Sequence, residues 1–278
     1  MKKQILNVAI IGALALSFQS CSNSEPGTLS GLYSVSESQQ VKFSSGNLQY
    51  DVTAKVWKFA DNQWNVLGSK NNELDNNREG FTGVIDLFSI GSADNATLDE
   101  SEAEHQFNEW GKNPIANASN KPNEWRTLSA KEMEYVFMKR PNAMQLIYPA
   151  TIDTIKGIVL LPDNYTINKS KVFIMKESDY KGWSSIDLIN SDSLFVANKY
   201  TYDEFKTLEQ EVGAVFFPFG GQKFTRIKDN VDGGYWTTGN DRGASYCSLT
   251  NRSVWPDRGC SSDCFRFSVR LVKDVVSK

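Results

Sequence analysis

The chain of 278 residues is poor in the groups that make metal and redox sites, with one histidine and four cysteines. Structural zinc centres take four ligands, and the single His105 stands in a Glu-rich stretch far from every cysteine, where it reads as a solvated surface residue. No nucleophile elbow is visible. Phe219-Gly220-Gly221 follows an apolar run but lacks the Lys-Ser or Lys-Thr ending that cradles phosphate, so the glycines read as a turn. The acids are scattered, with no Asp-x-Asp-x-Asp calcium loop, and Trp255-Pro256-Asp257 is only faintly like the sugar-site tripeptides of calcium-dependent lectins. No metal, cofactor or catalytic residue is expected. Excess positive charge is also missing, with 30 bases against 33 acids, which argues against nucleic acid as a partner.

Long apolar runs are confined to the N-terminus. Lys2 and Lys3, an apolar stretch from Ile5 to Phe18, and Ser20 before Cys21 have the three-part layout of a secretory signal, too short to span a bilayer comfortably. Phe18-Gln19-Ser20-Cys21 resembles a loose bacterial lipobox, which implies a signal over 1–20 and a lipid-bearing Cys21 as the mature N-terminus. The expected place is then the outer membrane of a Gram-negative-type cell, at the cell surface, with the membrane as one partner through Cys21. Residues 21–40 are polar and read as a flexible tether, so the folded domain should run from Val41 to 278.

Within that domain, Val41 to Ala60 holds two β-rich stretches around Asp51-Val52-Thr53-Ala54-Lys55, which suits a hairpin. Asn- and Gly-rich loops follow, with short strands near Val84 to Ile90. Ser129 and Glu132 form a capping box, with Met133, Val136 and Phe137 on one face and Pro141 as the stop. Thr201 and Glu204 form a second box, with Phe205, Leu208 and Val212 inward and Gly213 as the C-terminal stop. Apolar strands are expected at 157–162, 213–218 and 267–272. Two amphipathic helices among many short strands predict an α+β domain.

Several phrases in order, Phe43-Ser-Ser-Gly-Asn-Leu-Gln-Tyr50, Trp125-Arg-Thr-Leu-Ser129, Gly157-Ile-Val-Leu-Leu-Pro162, Gly234-Tyr-Trp-Thr-Thr238 and Phe267-Ser-Val-Arg-Leu-Val272, resemble the lipoprotein relatives of formylglycine-generating enzymes. That family is a branch of the C-type lectin fold, and the likeness covers most of residues 41–274. The C-terminal layout is similar to the variable proteins of diversity-generating retroelements, which display a hypermutated surface ahead of a final strand. In them, adenine-directed copying of Asn codons yields codons that cannot encode Lys, Glu, Gln, Met or Trp.

The window Gly239 to Arg266 contains no Lys, Glu, Gln or Met, although these make up 51 of the 278 residues. It holds four of the nine arginines, three of the four cysteines, and Trp255 as the exception to the codon rule. Ala244, Leu249, Val254 and Pro256 are expected to anchor the backbone together with Tyr235 and Trp236. The ligand-binding set is Asn240, Asp241, Arg242, Ser245, Tyr246, Asn251, Arg252, Trp255, Asp257, Arg258, Ser261, Ser262, Asp263 and Arg266, a mixture that resembles a paratope. Its expected ligand is an external protein or glycan. Cys260 and Cys264 lie where the resembled enzymes carry a catalytic pair, but with three intervening residues instead of four. Oxidase activity is therefore the rival reading, and a subunit of a surface fibre is another. In an oxidising compartment, Cys247, Cys260 and Cys264 make one bridge and a free thiol, or carry no selected role.

Overall fold

The computed structural model describes residues 25–68, 82–97, 106–166, 175–180, 183–188, 191–222, 230–239, 244–259 and 265–275. The first half of the chain supplies β1 (Tyr33–Ser34), β2 (Gln40–Phe43), β3 (Leu48–Asp51), β4 (Val56–Phe59), β5 (Val84–Ile85), β6 (Phe88–Ser89) and β7 (Arg126–Thr127), then helix α1 (Ala130–Glu134). After it come β8 (Ile147–Ile152), β9 (Ile155–Leu160), β10 (Met175–Tyr180), β11 (Trp183–Leu188), helix α2 (Ser191–Ala197), β12 (Lys199–Tyr200) and helix α3 (Tyr202–Val212). The chain closes with β13 (Val215–Pro218), β14 (Asp232–Trp236), β15 (Ser245–Thr250), β16 (Ser253–Gly259), β17 (Arg266–Phe267) and β18 (Leu271–Asp274). The architecture is α+β, mostly strands in several small sheets.

Both capping boxes form. Ser129 accepts from the Glu132 amide while Glu132 Oε2 accepts from the Ser129 amide, and Thr201 and Glu204 do the same. Gly213 ends α3 at φ +75°, packed so tightly on Gly31 that any Cβ there would lie 2.0 Å from the Gly31 nitrogen. Beyond α1 the helix widens to a π turn over Tyr135–Lys139, closed by the Arg140 amide on Tyr135 O at 2.8 Å. The next carbonyl, Val136 O, would be served in the same pattern by residue 141, but Pro141 has no N–H. Arg140 Nε serves it instead, at 2.7 Å.

Three apolar clusters hold the sheets. The first includes Phe43, Phe137, Phe217, Tyr235, Leu249 and Val254, the second Trp57, Phe88, Trp110, Trp236, Tyr246 and Phe267, and the third Tyr148, Phe205 and Phe216. Successive residues on a strand point to opposite faces. Tyr235 and Trp236 on β14 therefore enter different clusters, as do Tyr246 and Cys247 on β15. The five-stranded sheet β10-β11-β16-β15-β14 is thus covered on both faces along β14 and β15.

Four expectations need correction. Residues 25–40 are not a free tether: Leu29, Tyr33 and Val35 are buried in the first cluster, and β1 pairs with β2. A few well-spaced apolar residues suffice to bind a segment whose average composition is polar. The expected hairpin around residues 51–55 forms as β3–β4, but the first β-rich stretch splits, because β2 joins a sheet with β18 instead of continuing into β3. A third helix, α2, exists beyond the two expected, held by Leu194 and Phe195. Finally, the strand expected at 267–272 breaks into β17 and β18. Between them Arg270 is fully buried, with Nη2 on Ser44 O (2.8 Å) and Gln63 Oε1 (2.7 Å), and Nη1 on Asn47 Oδ1 (3.2 Å). Burial pulls its guanidinium down to about 10.

Candidate functional site

The window that drew attention by composition is mainly the β15–β16 hairpin. Thr250 fastens its tip: Oγ1 accepts from the amides of Arg252 (3.1 Å) and Ser253 (3.0 Å). Asn251 is half-buried and Arg252 exposed at that tip. Along β16 the pattern alternates, with Val254 and Pro256 buried, Ser253, Trp255 and Asp257 half-buried, and Arg258 and Gly259 exposed. Trp255 is oriented by its indole N–H, which donates to Ser253 Oγ at 2.9 Å. Asp257 Oδ1 accepts from Ser245 Oγ at 2.8 Å, tying a surface carboxylate to the interior.

One edge of β16 is released early. Leu188 N donates to Arg252 O at 2.8 Å, so the even-numbered backbone groups of this strand face β11. Pro256 is the even-numbered residue after Val254 and has no N–H to give. The ladder to β11 runs Asp187↔Ser253, Ile186↔Val254 and stops there. Pairing to β15 continues to Ser245↔Gly259, with a bulge between Tyr246 and Ser248.

Three members of the expected binding set do not reach the surface. Tyr246 is buried at 4% exposure, its ring stacked on Phe267 with centroids 4.1 Å apart. Ser245 is fully buried and engaged by Thr237, whose Oγ1 donates to Ser245 O at 2.9 Å. Arg266 is buried at the start of β17. For Tyr246 the physical reason is the second cluster, which covers its face of β14 and β15, whereas Ser245, one residue away, points to the opposite face and is engaged there by Thr237. Adjacent aromatics Tyr235 and Trp236 on the preceding strand were the available signal, since a strand with large apolar residues on both parities is covered on both sides.

Asn251, Arg252, Trp255, Asp257 and Arg258 remain as the described candidates brought together on one hairpin. Asn240, Asp241, Arg242, Ser261, Ser262, Asp263, Cys260, Cys264, His105 and Cys21 lie outside the described residues. Cys247 is a free, fully buried thiol. Burial alone pushes its pKa up, so it is a poor nucleophile. Its strand neighbour Ser248 carries a buried hydroxyl without a hydrogen-bond partner among the described residues.

Two concavities among the described residues border α3: one of about 460 Å³ lined by Ser30, Gly31, Asn164, Tyr165, Glu211 and Val212, and one of about 380 Å³ lined by Lys199, Tyr200, Glu204, Thr207, Leu208 and Glu211. Among the described residues, no group of three or more His, Cys, Asp or Glu side chains could hold a metal ion. Comparison of the chain with protein-family models, with curated proteins and with solved structures found no match.

Proposed function

We propose that this chain is a surface-displayed lipoprotein whose C-type-lectin-like domain binds an external protein or glycan through the β15–β16 hairpin. The observation that carries the reading is the strand β16 itself: Val254 and Pro256 are buried and fix it, while Arg252 and Arg258 are exposed and Trp255 and Asp257 half-exposed along the same hairpin. Contact residues on a strand paired to a core strand that is covered on both faces keep their geometry when their identities change. Aromatic and guanidinium groups are the side chains that dominate contact energy, at about 2 kcal/mol or more each when they act as hot spots. The loss of Lys, Glu, Gln and Met from 239–266 fits diversification by a retroelement, and the buried, unpartnered Ser248 hydroxyl fits a residue not chosen for packing.

The test is the triple variant Arg252→Ala, Trp255→Ala, Arg258→Ala, compared with the parent on a panel of immobilised polysaccharides and purified surface proteins. Every interaction of the parent should vanish while Tm stays within a few degrees. Retained binding, or a Tm that falls as far as binding does, rejects the hairpin as a ligand surface. The diversification claim has its own test in the genome: a near-copy of the codons for 239–266, differing only where the copy has adenine, beside a reverse transcriptase.

A further inference from the structure

The reading of Cys21 as a lipid-bearing residue, on which this inference rests, acquires a geometric consequence from the docked N-terminal segment. Val35 N donates to Gln39 O at 2.9 Å, folding the segment back on itself before β2. Asp163 then clamps it: its Oδ2 accepts from Ser34 N (2.7 Å), Ser34 Oγ (2.6 Å) and Gln40 Nε2 (3.1 Å), and its Oδ1 from Arg140 Nη1 (2.9 Å). Tyr33 is wholly buried, with its hydroxyl on Gly213 O at 2.9 Å and Leu160 O at 3.1 Å. Nearer the N-terminus, Leu29 N donates to Phe43 O at 2.9 Å and Ser45 N to Gly27 O at 2.7 Å. Gly27 lies so close to the 116–118 loop that a Cβ on it would meet the Ala118 methyl at 2.6 Å. Glu25 is bonded too, with its carboxylate 3.2 Å from Lys273 Nζ.

The bonded body therefore reaches at least to residue 25, and in sequence no more than Ser22, Asn23 and Ser24 stand between it and Cys21. Four steps of extended chain reach about 14 Å, whereas a free segment to Val41 would reach about 70 Å. A lipid-bearing cysteine at headgroup depth cannot hold such a body far from the bilayer.

We propose that lipid on Cys21 seats the domain flush on the membrane, with the face around Glu25, Lys121 and Lys273 against the headgroups. Exposed lysines on and beside that face make the placement readable. Glu25 and Glu124 both lie beside Lys273, at 3.2 and 3.7 Å, while Lys121 is 72% exposed and meets Glu124 only at 3.9 Å. The β3–β4 hairpin, whose tip carries exposed Lys55, joins this face through Trp57, whose carbonyl accepts from Ala116 N at 2.8 Å, and Phe59, bonded to Asn117.

Lysine labelling read by mass spectrometry tests the placement on the intact chain. Acylated protein in vesicles of phosphatidylethanolamine and phosphatidylglycerol is compared with a soluble Cys21→Ser form. Lys121 and Lys55 should be modified several-fold more slowly on vesicles, while Lys199, exposed on the edge strand β12 of another sheet, should be unchanged. A Gly/Ser spacer of about twenty residues between Asn23 and Ser24 should restore rapid labelling. Acylated protein whose Lys121 and Lys55 label at the soluble rate overturns the flush seating and leaves the anchor intact. A Cys21 whose mass shows no acyl chain overturns both.

Discussion

The two strands of the candidate hairpin come from one stretch of similar composition and meet opposite fates. β15 has five of its six residues buried, because apolar clusters cover both of its faces, whereas β16 alternates between buried and open positions. Residue type did not separate them. Tyr246 and Trp255 are both aromatic, yet one is stacked inside on Phe267 and the other is half-exposed and held by Ser253. What decides is the environment that neighbouring strands build, and a patch read as a paratope is in fact a surface strand laid beside a core strand.

Substitutions can break that contrast, and the largest effect is expected at Tyr246. Tyr246→Ala removes a ring from the second cluster and should cost about 3–5 kcal/mol, measured as a loss of denaturation midpoint in urea. A loss under about 1 kcal/mol would return Tyr246 to the ligand face. Ser248→Ala acts on the same strand in the opposite sense. It deletes a buried hydroxyl that no described group satisfies, so stability should be unchanged or rise by up to about 1 kcal/mol. A destabilisation of that size would mean the hydroxyl has a partner. On β16, Arg252→Ala and Arg258→Ala should each change stability by less than about 0.5 kcal/mol, because both side chains stand in solvent. A larger loss at either would make that arginine structural and shrink the candidate surface.

The local part of the fold was legible in the chain. Ser129 with Glu132, Thr201 with Glu204, and the Gly213 stop are each settled within a few residues, and each forms as expected. Non-local partners were hidden. Ser34 is held by Asp163, 129 residues away, and Tyr33 by the Gly213 carbonyl, 180 residues away, so the N-terminal segment looked free when read by itself. Arg140 and Arg270 were illegible for a related reason. Arginine is a surface residue by habit, and only the assembled carbonyls of Val136, Ser44 and Phe216 and the carboxylate of Asp163 make an interior place for it. Of the candidate site, the anchors Leu249, Val254 and Pro256 were visible as apolar residues interleaved among polar ones, but the second cluster that claims Tyr246 was not.

Burial also opposes ionisation at Asp163, yet hydrogen bonds from Ser34 and Arg140 outweigh it and hold the carboxyl below its ordinary range. A carboxylate lowered by folding contributes stability that is present above its unfolded pKa and is lost as pH falls through the folded one. Acid should therefore loosen the N-terminal segment, and hydrogen exchange at Ser34 should quicken below about pH 4 more than in an Asp163→Asn variant, which has no such carboxyl to protonate.

Pro256 has a meaning for crowding. A bare strand edge is a template on which another chain's strand can grow, and proteins held side by side meet that hazard constantly. Where the pairing of β11 to β16 ends among the described residues, the next position on that edge is buried Pro256, which cannot donate, so a second hairpin arriving there finds its first rung missing. Copies of this chain packed closely together should for that reason stay separate at this edge, leaving Arg258 and its neighbours open to something other than themselves.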